Sequence, residues 1–136
     1  MTLHSFVTPL IALQFVAFGW RINREVMMEG KGERTWFPAS DWLNILSLMA
    51  VSFCCVLWPI YTQAFGRLSK SVLAVGYVLI ALHPVSQAAH YRLFSRKGRS
   101  VYKDKKWPWI TDQEIASLLL TLVAAMLSGW IVWRAV

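Results

Sequence analysis

His83, Gln87 and His90 are residues of this chain whose types and spacing could do chemistry within an apolar run. At i, i+4 and i+7 they share one face of a helix. Pro84, beside them, removes one amide and frees the carbonyl of Ile80, so a bent segment with a spare acceptor is expected there. The flanking sequence is apolar, and ionisable groups at membrane depth face protein or a water-filled cavity. Two readings follow. One is a polar pathway or ligand pocket near mid-membrane. The other is an interhelical hydrogen-bond seam in which His83 and Gln87 meet Gln14, Asn44, Ser47 or the freed carbonyl. His90 precedes Tyr91-Arg92 and is expected to reach the interface.

The second chemical feature is a cationic stretch. Arg92, Arg96, Lys97, Arg99, Lys103, Lys105 and Lys106 face a single acid, Asp104, and run into Trp107-Pro108-Trp109. Each such charge gains about 1 kcal/mol near an anionic leaflet. The stretch therefore predicts topology and anionic headgroup binding, or a docking surface for an acidic soluble partner. Direct nucleic-acid binding is disfavoured, because the charges lie in one short loop of a membrane chain.

Other chemistry finds little support. His4 and His83 differ in depth by about 15 Å along a helix, too much to clamp one haem. His83 and His90 share a helix and lack a neighbouring Cys or carboxylate in the sequence for a metal. Cys54 and Cys55 are adjacent and point about 100° apart, which suits two small buried hydrophobes better than a disulfide. HExxH, GxSxG and phosphate-loop patterns are missing, and no acid falls within an apolar run. No catalytic residue, metal or cofactor is expected, and an enzyme is the least supported class.

The elements that must position these residues are four charge-free apolar runs, 1–20, 42–66, 71–91 and 115–133. At about 1.5 Å per residue each can cross roughly 30 Å of hydrocarbon. Hydrophobic residues make up 57% and charged residues 15% of the 136, which falls in the membrane class. The expected fold is all-α: one integral membrane bundle of four transmembrane helices over residues 3–20, 42–65, 71–92 and 112–134. The first run is expected to be kept as a span with Pro9 in its early turns, since it lacks a basic n-region. The first and third connections carry eleven Lys/Arg and the opposite side only Arg67, Lys70 and Arg134. That bias predicts two cytoplasmic loops and both termini outside, in a plasma membrane or bacterial inner membrane. Trp20, Trp36, Trp42, Trp107 and Trp109 then mark the inner interface, and Trp58, Trp130 and Trp133 the outer one.

Helix starts are legible as well. Thr111-Asp112-Gln113-Glu114 reads as a capping box, with Ile110 and Ile115 as its hydrophobic staple. Ser40 or Asp41 is expected to cap the second span. Arg21 and Glu25 are spaced to pair, so the first helix is expected to continue until Gly30-Lys31-Gly32. Ser40 and Thr111 lie 71 residues apart, each after a Trp/Pro segment, which fits either a repeated hairpin or ordinary interface chemistry. In the fourth span Ser117, Thr121, Ala125 and Gly129 form a ridge of small residues, suited to close helix approach within one protomer or between subunits.

Together these features predict a non-enzymatic membrane subunit: an anchor, scaffold or sensor. It would form a homo-oligomer or join a larger complex, and recruit a partner or anionic lipid at its basic loops. The alternative is a small oligomeric pore lined by the His83/Gln87/His90 face.

Overall fold

The computed structural model describes residues 4–30, 37–91, 94 and 111–136. Arg92, Arg96, Lys97, Arg99, Lys103, Lys105 and Lys106 lie outside the described residues, as do Trp36, Trp107, Trp109 and Ile110. Four helices are long and apolar enough to span a membrane. They are α1 (His4–Glu29), α2 (Ala39–Thr62), α3 (Arg67–His90) and α4 (Asp112–Ala135). A 24-residue helix is about 36 Å long, which exceeds the hydrocarbon thickness.

The pattern of burial is inverted relative to a water-soluble domain. Among the described residues, fifteen polar or charged side chains are buried but only seven hydrophobic ones, while Phe15, Val16, Leu46, Met49, Leu120 and Met126 point outward. Large apolar side chains gain nothing by leaving a hydrocarbon solvent, so polar groups and small residues take the inside. Trp20 and Trp42 are exposed at one level, and Trp58, Trp130 and Trp133 at another. Trp42 and Trp58 are about 24 Å apart along α2, close to one hydrocarbon thickness.

α3 is the central element and touches the other three helices, α4 most extensively. The apolar core joins Val7 and Leu10 of α1, Val51 and Cys55 of α2, and Leu73 of α3. Gly76 lies at this junction. A Cβ there would sit 2.9 Å from both Leu10 Cδ2 and Val51 Cγ2, so only glycine lets the three helices come this close. The small-residue ridge packs on α3. Thr121, Ala125 and Gly129 are buried, Ser117 is half-buried, and a Cβ on Gly129 would meet Val75 Cγ2 at 2.8 Å.

α1 continues through Arg21 to Glu29, as the Arg21/Glu25 spacing leads one to expect, with the buried Arg21 paired to Glu25 and Asp41. Other helices differ from the expected spans at their ends. α2 starts earlier than expected, at Ala39. Neither Ser40 nor Asp41 caps it: Pro38 takes the N-cap position in extended conformation, and its carbonyl accepts from the Asp41 amide at 3.0 Å. Both side chains are instead turned into the bundle toward other helices. α2 ends at Thr62 and not 65, because Gln63 adopts the left-handed region (φ 54°). α3 begins at Arg67 and not 71: the extended Gly66 precedes it, and the Lys70 amide already bonds Gly66 O at 3.2 Å.

Inside α2, residues Ser52–Leu57 form a π-helical segment, and Pro59 explains it. The Trp58 amide bonds back to the Phe53 carbonyl, five residues away, and Pro59 has no amide to offer. The Cys54 carbonyl is thereby freed. Ser69 of α3 fills the gap, its hydroxyl donating to Cys54 O at 2.6 Å, while the Cys55 thiol donates to Ser69 O at 3.2 Å. Both cysteines are free thiols.

Candidate functional site

The end of α1, the start of α2, the end of α3 and the start of α4 meet around two buried carboxylates. Asp41 is the hub. One carboxylate oxygen accepts from Arg21 Nε at 2.8 Å. The other pairs with His83 Nε2 at 2.9 Å and also accepts from the Gln87 amide. With a carboxylate opposite it, Nε2 carries a proton and donates to Asp41. Gln87 donates its second N–H to Ser40 Oγ at 3.2 Å.

Arg21 is only 2% exposed, yet its guanidinium is fully engaged. It bonds Asp41, pairs with Glu25 at 2.6 Å and donates to the Tyr91 hydroxyl. The i, i+4 pairing expected from sequence is therefore present, but inside the bundle. Beside it, Arg24 stacks over the Tyr91 ring at 3.9 Å. Burial pushes the Tyr91 phenol above its ordinary pKa, against the opposing pull of the two guanidiniums.

The second carboxylate, Glu114, has no exposed surface. It meets His90 Nδ1 at 2.7 Å and accepts from the Ala39 amide at 3.3 Å, so α4 supplies the cap that α2 lacks. Half of the expected capping box forms: Thr111 Oγ1 accepts from the Glu114 amide at 3.0 Å. The Glu114 side chain goes to His90 and Ala39, and the Thr111 hydroxyl donates to Ala89 O at 2.9 Å. His90, expected at the interface, is 4% exposed for the same reason: a buried carboxylate holds it inward.

Further along the bundle the polar column continues without charge. Gln14 donates to Ser47 Oγ at 2.9 Å, the Asn44 amide donates to Gln14 O at 3.4 Å, and Ser86 and Thr121 hydroxyls face each other at 3.4 Å. Gln14, Asn44 and Ser47 thus bond among themselves and not to His83 or Gln87. A cavity of about 10 Å³, about the space of one water, adjoins Ser40, Asn44, His83, Ser86 and Thr121 together with Leu43, Leu79 and Leu118. A much larger groove, about 520 Å³, opens between α1 and α3.

His83, Gln87 and His90 do share one face, and it points inward. Asp41, Glu114, Arg21 and Tyr91 are the members that sequence reasoning missed. They are the ionisable and phenolic groups nearest the apolar runs at the same end as His90, and that shared level is the available signal. Chemically, the arrangement compensates buried charge and joins four helices. Each histidine does have one carboxylate, brought to it by another helix. Among the described residues no cluster of three or more His, Cys, Asp or Glu is disposed to hold a metal. In comparisons with known proteins, no family model, curated protein or solved structure matches this chain.

Proposed function

We propose that the chain is a non-enzymatic integral membrane subunit, an anchor or scaffold, that oligomerises and recruits an acidic partner or anionic lipid through its two basic connections. The proposal places these connections in the cytoplasm and both termini outside, in a plasma membrane or bacterial inner membrane, because eleven of fourteen Lys/Arg lie on that side. One observation carries the reading. The Arg21–Asp41–His83–Gln87 cluster and the His90–Glu114 pair tie together the helix ends from which both basic connections leave. Such a lock keeps the bases of the two loops at fixed separation, as a platform for recruitment requires.

The pore reading needs His83, Gln87 and His90 on a face shared between copies. Their burial against Asp41 and Glu114 inside one protomer weighs against it.

The test reconstitutes the protein in phosphatidylcholine vesicles and measures capture of phosphatidylglycerol vesicles by flotation. Replacing Arg96, Lys97 and Arg99 with Glu should abolish capture and leave bilayer conductance unchanged. Unchanged capture overturns the recruiting role, and a conductance lost in His83→Ala restores the pore. A reporter active only on the outer face, fused after Val136, tests the orientation.

A further inference from the structure

We infer that the groove between α1 and α3 holds one acyl chain of an anionic glycerophospholipid, with its phosphate on Arg24. Arg24 is one of the eleven basic residues on that side, but the groove is separate from the cationic stretch 92–106 and needs only the membrane setting of the proposed function.

The dimensions select a lipid chain. At about 520 Å³ the groove lies within the roughly 300–1,000 Å³ of ligand sites. Its walls extend from Leu13 to Arg24 on α1 and from Ile80 to Tyr91 on α3. Each stretch is about 16 Å long, half of the roughly 30 Å hydrocarbon core and hence the depth of one leaflet. The small side chains of Ala17 and Ala88 keep the space open, and Leu13 and Val16 on its rim are exposed toward the bilayer. An occupant therefore enters sideways from the leaflet.

The charge is asymmetric along this length. Apolar side chains dominate the deep end, and Arg24 supplies a cation at the other, beside the exposed Trp20. Arg24 contrasts with Arg21. Arg21 is bound to two carboxylates, whereas Arg24 has a ring contact with Tyr91 and no carboxylate partner among the described residues. A guanidinium over an aromatic ring can still turn N–H groups to a bidentate acceptor, and two phosphate oxygens fit that fork. A neutral or zwitterionic lipid leaves the cation less well compensated.

Native mass spectrometry after gentle release from nanodiscs of equal phosphatidylglycerol and phosphatidylcholine tests the assignment. The wild-type chain should retain one phosphatidylglycerol in preference to phosphatidylcholine. Arg24→Gln should reduce that retention by about tenfold, the weight of one charge-assisted contact. Ala88→Phe, which fills the groove and leaves every charge in place, should abolish retention of both lipids. Equal retention of the two lipids by wild type overturns the proposal, as does wild-type retention in either variant with its thermal midpoint intact. The Arg96, Lys97 and Arg99 reversal should keep the bound phosphatidylglycerol while losing vesicle capture. The two failures are thereby distinguishable, and loss of the retained lipid in that variant also overturns the groove assignment.

Discussion

The two ends of the bundle are held by different means. At one, Arg21, Asp41, His83, Gln87, His90 and Glu114 join helices through directional bonds between buried polar groups. At the other, Val7, Leu10, Val51, Cys55 and Leu73 fit around Gly76, and close contact is the main feature, with bonds from uncharged groups such as Ser69 to Cys54 O beside it. The polar end depends on pairing: each charge is tolerable only because its neighbour is present. The apolar end depends on volume, and each methyl group counts separately. One region should thus respond to the loss of a partner, the other to any change of size.

The sharpest way to break this contrast is at the hub. Asp41→Leu should destabilise the protein by about 3–5 kcal/mol, because Arg21 loses its main partner while still buried. Thermal unfolding in detergent measures this. Adding Arg21→Met to Asp41→Leu should recover a large part of the loss, and a double mutant no better than the single one would refute the pairing account. Next in size is Leu10→Ala, expected to cost about 2–4 kcal/mol through the cavity it leaves; no second substitution at the polar end should rescue it. Gly76→Ala should cost about 1–3 kcal/mol, since Leu10 and Val51 must move apart, and Leu10→Val should relieve part of it. The smallest effect is expected for Tyr91→Phe, about 1 kcal/mol. It removes the hydroxyl that accepts from Arg21 but keeps the ring under Arg24. In the same thermal assay, a Tyr91→Leu variant no worse than Tyr91→Phe would show that the stacking contributes nothing.

Much of this architecture is legible in the amino-acid sequence. Charge-free runs locate helices because hydrocarbon excludes charge, and the i, i+4, i+7 spacing correctly gathers His83, Gln87 and His90 on one face. The same rule misleads at the edges. Ending the first two spans at a charge leaves Arg21 and Asp41 outside, and the capping-box reading keeps Glu114 on its own helix, whereas each is paired with a partner on another helix. Local spacing carries no information about such partners, which lie 20 to 42 positions away for Arg21–Asp41 and His83–Asp41. Asp41 reads as a cap because caps are recognised by position alone. Its actual role depends on which helix lies opposite. The small-residue ridge of α4 is visible as a ridge, but only its contact with Val75 and Ser86 identifies α3 as the neighbour.

The widened turn of α2 has a consequence for the whole length of that helix. Its buried positions Ser47, Val51, Cys55 and Pro59 recur every four residues. In a regular helix twelve residues overshoot three full turns by about 120°, which would swing Pro59 away from the side that Ser47 faces. Absorbing one extra residue cuts the overshoot to about 20°, so both halves of α2 address the same neighbours. The π segment is thus a correction of angular phase, and the backbone oxygen it releases at Cys54 becomes the point where Ser69 fastens the second helix to the third.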